Sequence, residues 1–276
     1  MQISWLEDVL RGAGVSVVVE GDWLNRSAGA SFEPIGVLWH HTAAPSSAER
    51  PHPALDICIN GRSDLPGPLC QALVDHFGVF HLISANRCNH AGTSGGSGPI
   101  PAGDGNTLMI GWEIDYAGDG GGGVVQEMTP AQYDASVAAT AAVLQRLGRS
   151  ADHARGHRET STSGKIDPSF IDLDAMRADV AAAMGEEPPP TPPGTPFRTW
   201  VAGVNVRPTP DTTGTPVGYL PTTTTVYVEC QTEGETVTES GYTNNLWSKL
   251  SSPHVGYINN VFIQGPASLP VDACPI

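Results

Sequence analysis

"IGVLWHHT", Ile35 to Thr42, is an apolar run that ends abruptly in two histidines. Such a run reads as a β-strand. Successive side chains of a strand point to opposite faces, so only one of His40 and His41 can join a given site. Further strand-like runs surround it: "VSVVVE" (15–20), "ALVDHFGVFHLIS" (72–84) with a turn expected near Phe77 and Gly78, and "TLMIGWEIDY" (107–116). Two helices follow. In "TPAQYDASVAATAAVLQRLG" (129–148), Thr129 is an N-cap, Pro130 takes the first helical position and Gln132 completes a capping box. Tyr133, Val137, Ala141 and Leu144 then recur at helical spacing until Gly148. A second helix is expected around Leu173, Met176, Val180 and Met184. Strands interspersed with helices make this a mixed α/β domain, its sheet covered by helices.

"GEEPPPTPPGTP", Gly185 to Pro196, is too rich in proline for a helix or a central strand and reads as an extended spacer. It separates a domain over 1–184 from another over 197–276. Beyond it the pattern changes to short β-branched or aromatic runs between Gly, Pro and Asn: "GVNVRPTP", "TTTTVYVECQ", "TVTES", "LWSKL" and "VGYINNVFI". These predict a small all-β barrel. "GDGGGGVV", Gly118 to Val125, lacks the Lys-Ser/Thr ending of a phosphate-binding loop and reads as a surface loop.

The 276 residues carry 29 acidic against 14 basic side chains, a formal net charge of -15. That balance argues against nucleic acid and against an anionic membrane surface as partners. No run of about 18 apolar residues is present, so no membrane insertion is expected, and the N-terminus shows no Sec-type signal peptide. The five cysteines form no CxxC pair, which leaves small buried hydrophobes with one or two disulfides, and at least one free thiol, as the expectation. A monomer is expected.

Three stretches carry chemistry-bearing residues. The first is the His40–His41 pair. The second is "GHRETSTSGKIDPSF", Gly156 to Phe170, with His157, Lys165 and Asp167 among small residues. Two histidines and an aspartate meet the needs of a zinc site, whereas a solvated loop with a Lys165–Asp167 ion pair accounts for the same composition. The third is "IGWEIDY", where Glu113 and Asp115 alternate with apolar residues. Burial raises a carboxylate's pKa toward the range useful to a general base. A strand-end carboxylate facing water fits Asp115 better than Glu113.

Together, "VLWHHTA", "NHAG" (89–92), "IGWE", "TPAQY" and "GHRE…GKIDPSF", in this order, resemble the zinc N-acetylmuramoyl-L-alanine amidases of the type 2 amidase and peptidoglycan-recognition superfamily. The resemblance spans roughly 36–170, and Asp64 to Gly92 is most similar to lysins of phages that infect actinobacteria. It implies the fold of that superfamily and one Zn2+ per catalytic domain, held by His40, His157 and Asp167. It implies Glu113 as general base, Lys165 as the oxyanion's cation, and His41, Thr42 and His90 as substrate-facing. His52, His76, His81, His153 and His254 are left with ordinary polar or core roles. The implied reaction is hydrolysis of the amide between N-acetylmuramic acid and L-alanine in bacterial peptidoglycan.

Residues 197–276 resemble a bacterial SH3-type module. The resemblance implies cell-wall binding, with Tyr219, Tyr242, Trp247 and Tyr257 as candidate contact aromatics, at least half of them expected in the core. Cys230 and Cys274 can bridge its second strand to its tail. Bacterial walls are themselves anionic, so binding is expected to rest on short-range contacts with little sensitivity to salt. A protein made in a host cytoplasm and released to the wall at lysis fits the absent signal peptide; a secreted bacterial enzyme is the other origin. The competing function is a peptidoglycan receptor that binds without cutting, a role that goes with loss of a zinc ligand.

Overall fold

The computed structural model describes residues 1–119, 123–185, 193–220 and 223–275. The chain divides into two compact units, Met1–Pro189 and Pro190–Ile276. The glycine-rich stretch lies partly, and the proline-rich spacer mostly, outside the described residues.

In the first unit six strands form one sheet: β1 (Val17–Val19), β2 (Gly36–His41), β3 (Ala72–Val74), β4 (Phe80–Leu82), β5 (Met109–Ile114) and β6 (Ala154–Gly156), in the order β1-β4-β3-β5-β2-β6. β3, β5, β2 and β6 run parallel, while β4 is antiparallel to β3 and parallel to β1. The sheet is therefore mixed, as expected. Its helices longer than a single turn are α1 (Leu6–Gly12), α2 (Leu55–Asn60), α3 (Pro130–Leu147) and α4 (Leu173–Met184).

The period-2 alternation of β2 and β5 sorts the sheet into two faces. Val37 and Trp39 of β2, with Ile110, Trp112 and Ile114 of β5, pack into one large core with Leu6 and Leu10 of α1, Val137, Ala141 and Leu144 of α3, and Met176 and Val180 of α4. The indole N–H groups of Trp39 and Trp112 both donate to Thr140 Oγ1 on α3, at 2.9 and 3.1 Å, so neither buried donor is left unpaired. The opposite face carries His40 and Glu113.

α3 begins as its sequence dictates. The Gln132 N–H donates to Thr129 Oγ1, the Thr129 N–H donates back to Gln132 Oε1, and Gly148 closes the helix in the left-handed conformation at φ 65°. Gln132 Nε2 also donates to the Asp115 carbonyl at 2.8 Å, locking the helix start to the end of β5.

The expected exposure of Asp115 is overturned. It is fully buried, accepting from Thr42 Oγ1 at 2.6 Å and from the Ala54 N–H at 3.2 Å, and burial pushes its pKa up to about 6. Bonds from the first turn after β2 and the start of α2 replace the water that a strand-end carboxylate ordinarily uses.

Cys58, Cys70 and Cys88 are free and buried, the first two in a small cluster with Leu73 and Ile83 apart from the large core. Burial pushes the Cys70 and Cys88 thiols well above their ordinary range. Since the thiolate is the reactive form, the folded protein should consume essentially no thiol reagent under native conditions and three equivalents once denatured without reductant. A fast native equivalent would contradict this packing.

The second unit holds β7 (Thr195–Arg198), β8 (Val204–Val206), β9 (Gly218–Leu220), β10 (Thr225–Glu239), β11 (Tyr242–Leu250) and β12 (Gly256–Asn259). β7, β10, β11 and β12 make an antiparallel sheet, and β8 and β9 a separate ribbon. Among the described residues no closed barrel is present; the Arg207–Tyr257 bridge and the packing of Val206 on Gly256 bring β8 against β12. Val204, Val206, Leu220, Val226, Val228, Leu250 and Ile258 build its core. Cys230 and Cys274 form a disulfide that ties β10 to the tail, a pairing the sequence left open.

Candidate metal centre and active site

The register of the sheet assembles the site. β2 and β5 pair so that His40 stands beside Glu113 on the face opposite the helices. β6 pairs with β2 so that Gly156 is level with Trp39, and His157 follows it directly. A side chain at 156 would meet Leu173 and the Pro168 ring within 3.0 Å, so glycine permits this close approach.

After one helical turn, His157–Thr160, the chain loops back to bring Asp167 under the two histidines. The return is clamped at several points. The Arg158 N–H donates to the Asp167 carbonyl at 2.7 Å, and the Arg158 side chain donates to the carbonyls of Pro168 and Ile171. Tyr116 Oη donates to the Ser169 carbonyl at 2.8 Å, the Ser169 N–H donates to His41 Nδ1 at 3.1 Å, and Ser169 Oγ donates to Asp119 Oδ1 at 2.7 Å.

Three ligating atoms converge. His40 Nδ1, His157 Nδ1 and Asp167 Oδ2 form a triangle with edges of 3.1, 3.0 and 3.0 Å. A tetrahedral ion with bonds of 2.0–2.1 Å has ligand-to-ligand edges of roughly 3.3 Å, so the triangle is close to the size zinc needs. Among the described residues this is the only such group of His, Cys, Asp and Glu side chains.

The electrostatics agree with a cation. Burial, reinforced by His157, lowers the His40 pKa to about 4, which keeps the imidazole neutral. Burial opposes ionisation of Asp167, but the His157 and His40 imidazoles against its carboxylate outweigh it and hold the carboxyl far below its ordinary range. Neutral imidazoles and an ionised carboxylate are the forms that bind a divalent metal.

The other expected residues separate into two groups. Glu113 lies against the triangle; burial pushes its pKa well up, Asp167 and Asp115 push the same way, and Lys165 counteracts them. Among the described residues no hydrogen bond reaches its carboxylate. The Lys165 side chain is exposed and among the described residues forms no ion pair, so Asp167 sits with the two histidines and the solvated-loop alternative with a Lys165–Asp167 bridge does not hold.

His41 points to the helix side, where its Nδ1 holds Ser169 and its ring packs edge-on against Tyr116 at 5.1 Å. Thr42 spends its hydroxyl on Asp115. His90 is turned inward, its Nδ1 at 3.1 Å from His40 Nε2. All three side chains are half-buried and engaged in these contacts, His41 on the opposite strand face from His40.

In the second unit Tyr219 and Tyr242 are exposed, whereas Trp247 is 2% exposed with its indole N–H donating to the Glu235 carbonyl. Trp247 therefore cannot meet a ligand. Tyr257 is half-buried, its backbone bridged to Arg207. The sequence reading passed over Trp200, which is 38% exposed and stands edge-on to Tyr242 at 6.0 Å. It also passed over Asn106, whose Oδ1 accepts the N–H groups of His90, Ala91 and Gly92 at 2.8, 2.8 and 3.2 Å. An asparagine three residues before the "IGWE" strand was the available signal.

A family model described as N-acetylmuramoyl-L-alanine amidase matches residues 31–170, the span that holds every member of this site. The chain belongs to that amidase family. No curated protein sequence matches the amidase. Among solved structures it is similar to the PlyG catalytic domain, at 17% identity and TM-score 0.44, covering 64% of this chain and 99% of that one. The XlyA catalytic domain gives 17% identity and TM-score 0.44 over 60% of this chain and 99% of that one. The endolysin N-acetylmuramoyl-L-alanine amidase LysCS from Clostridium intestinale gives 13% identity and TM-score 0.40 over 62% of this chain and 97% of that one. No helix among the described residues of the amidase is long and apolar enough to cross a membrane.

Proposed function

We propose that the amidase uses zinc held by His40, His157 and Asp167 to cleave the bond between N-acetylmuramic acid and L-alanine in peptidoglycan, and that it serves as a phage endolysin in host lysis. The convergence of two imidazole nitrogens and one carboxylate oxygen within 3.1 Å of one another, beside the half-buried Glu113, carries this reading. When bound, zinc supplies a Lewis acid and lowers the pKa of a water to about 7.

The chain's own residues then do the rest. Glu113, raised in pKa and beside His40, takes the proton of the attacking water and passes it to the leaving nitrogen of L-alanine. Lys165, close enough to Glu113 to be felt electrostatically, supplies positive charge where the scissile oxygen becomes negative. The clamp on Ser169 holds Asp167 through these changes.

The second unit is proposed as an SH3-type wall-binding module. Tyr219, Tyr242 and the neighbouring Trp200 are the aromatics exposed for contact. Aromatic faces bind by short-range packing, which suits a protein with a net charge of -15 on an anionic wall.

Digestion of purified peptidoglycan with and without a chelator tests the reading. New N-terminal alanine and free lactyl groups that appear only without chelator support it; reducing sugar ends, or binding without cleavage, overturn it. Lys165→Ala should retain stoichiometric zinc and lose roughly 10²- to 10³-fold in kcat, the range for removing one charge-stabilising donor. Unchanged kcat in that variant would remove Lys165 from the mechanism.

A further inference from the structure

We infer that His90 is a positioning residue that fixes the tautomer of His40, so that His40 turns a bare Nδ1 toward the metal. The inference rests on the zinc reading above and concerns a side chain that does not touch the metal.

A backbone carbonyl can only accept a hydrogen bond, and the Met109 carbonyl lies 3.2 Å from His90 Nε2. His90 Nε2 therefore carries the hydrogen. A neutral imidazole has one N–H, so His90 Nδ1 is an acceptor. That acceptor stands 3.1 Å from His40 Nε2, which must then be the donor. With its hydrogen on Nε2, neutral His40 has a free lone pair on Nδ1, the atom that faces His157 and Asp167. The polarity of the chain runs from one backbone carbonyl through two imidazoles to the ligand atom.

The surroundings hold this relay in place. A Cβ at position 111 would lie 2.7 Å from His90 Nδ1, so the glycine of "IGWE" makes room for the ring. Asn106 Oδ1 collects the three N–H groups of residues 90–92 and fixes the backbone that carries the ring. The outer hydrogen bond of a metal-bound histidine sets its tautomer and orientation and raises its basicity, and losing such a partner lowers metal affinity roughly 10- to 100-fold.

The test uses the full chain, with zinc affinity measured by competition against a chromophoric chelator and cobalt(II) spectra as a second readout. His90→Leu should lose roughly 10- to 100-fold in zinc affinity and change the cobalt d–d band. His90→Asn sets a carbonyl oxygen near the place of Nδ1 and should bind within a few-fold of the parent (about threefold). A folded His90→Leu protein that binds zinc like the parent overturns the inference, as does an Asn variant no better than the Leu variant. If the Leu variant does not fold, nitrogen-15 spectra of the zinc-loaded parent decide: His90 protonated at Nε2 supports the relay, and His90 protonated at Nδ1 refutes it. A parent protein that binds no zinc would sink the metal reading itself, an outcome distinct from a parent that binds zinc while His90→Leu binds equally well.

Discussion

Asp167→Ala is expected to abolish both zinc binding and peptidoglycan cleavage. Asp167 supplies the only carboxylate in a ligand set whose other members are imidazoles. Without it a divalent ion sits in a part-buried cleft with its charge uncompensated, and affinity should fall by more than the roughly 100-fold that marks the loss of an outer-sphere partner. The loop should survive the change. Its contacts run through the Asp167 carbonyl, the Ser169 backbone and the Arg158 side chain, none of which the substitution removes. Circular dichroism should therefore match the parent, while metal analysis after dialysis returns no stoichiometric zinc. Asp167→Asn keeps the shape and loses the charge, and should behave like the alanine variant. A variant that loses metal but still releases N-terminal alanine would show that zinc is not needed for the chemistry.

Local rules made much of this legible from the residues. The capping box of α3, its end at Gly148 and the span of α4 follow from side chains within a few positions of each other, where propensity and capping act. The alternation of "IGVLWHHT" likewise assigns His40 and His41 to different faces before any partner strand is known. The strand order β1-β4-β3-β5-β2-β6 is another matter, because parallel pairing joins segments many tens of residues apart with no local signature. Asp115 was misread for the same reason: its burial depends on Thr42 and on the N–H of Ala54, each supplied by a distant segment. Trp247 and Trp200 show the limit for aromatics, since residue type alone does not say which indole packs inward and which stays at the surface.

Glu113→Gln should leave zinc in place and lower kcat by roughly 10²- to 10⁴-fold, the range for a lost general base. The substitution is nearly isosteric, and position 113 lies outside the triangle of ligand atoms, so metal content should stay at one equivalent. Its effect on stability should have the opposite sign. The Glu113 carboxylate is held beside Asp167 and Asp115, and among the described residues it receives no hydrogen bond. A half-buried charge left in that state costs free energy, and a neutral amide of the same shape removes part of the cost. The chelator-treated glutamine variant should accordingly melt above the chelator-treated parent while being far less active. Higher stability together with lost turnover separates a residue kept for catalysis from one kept for packing. A glutamine variant that melts lower, or that cuts peptidoglycan at the parental rate, would place the proton transfer on another group.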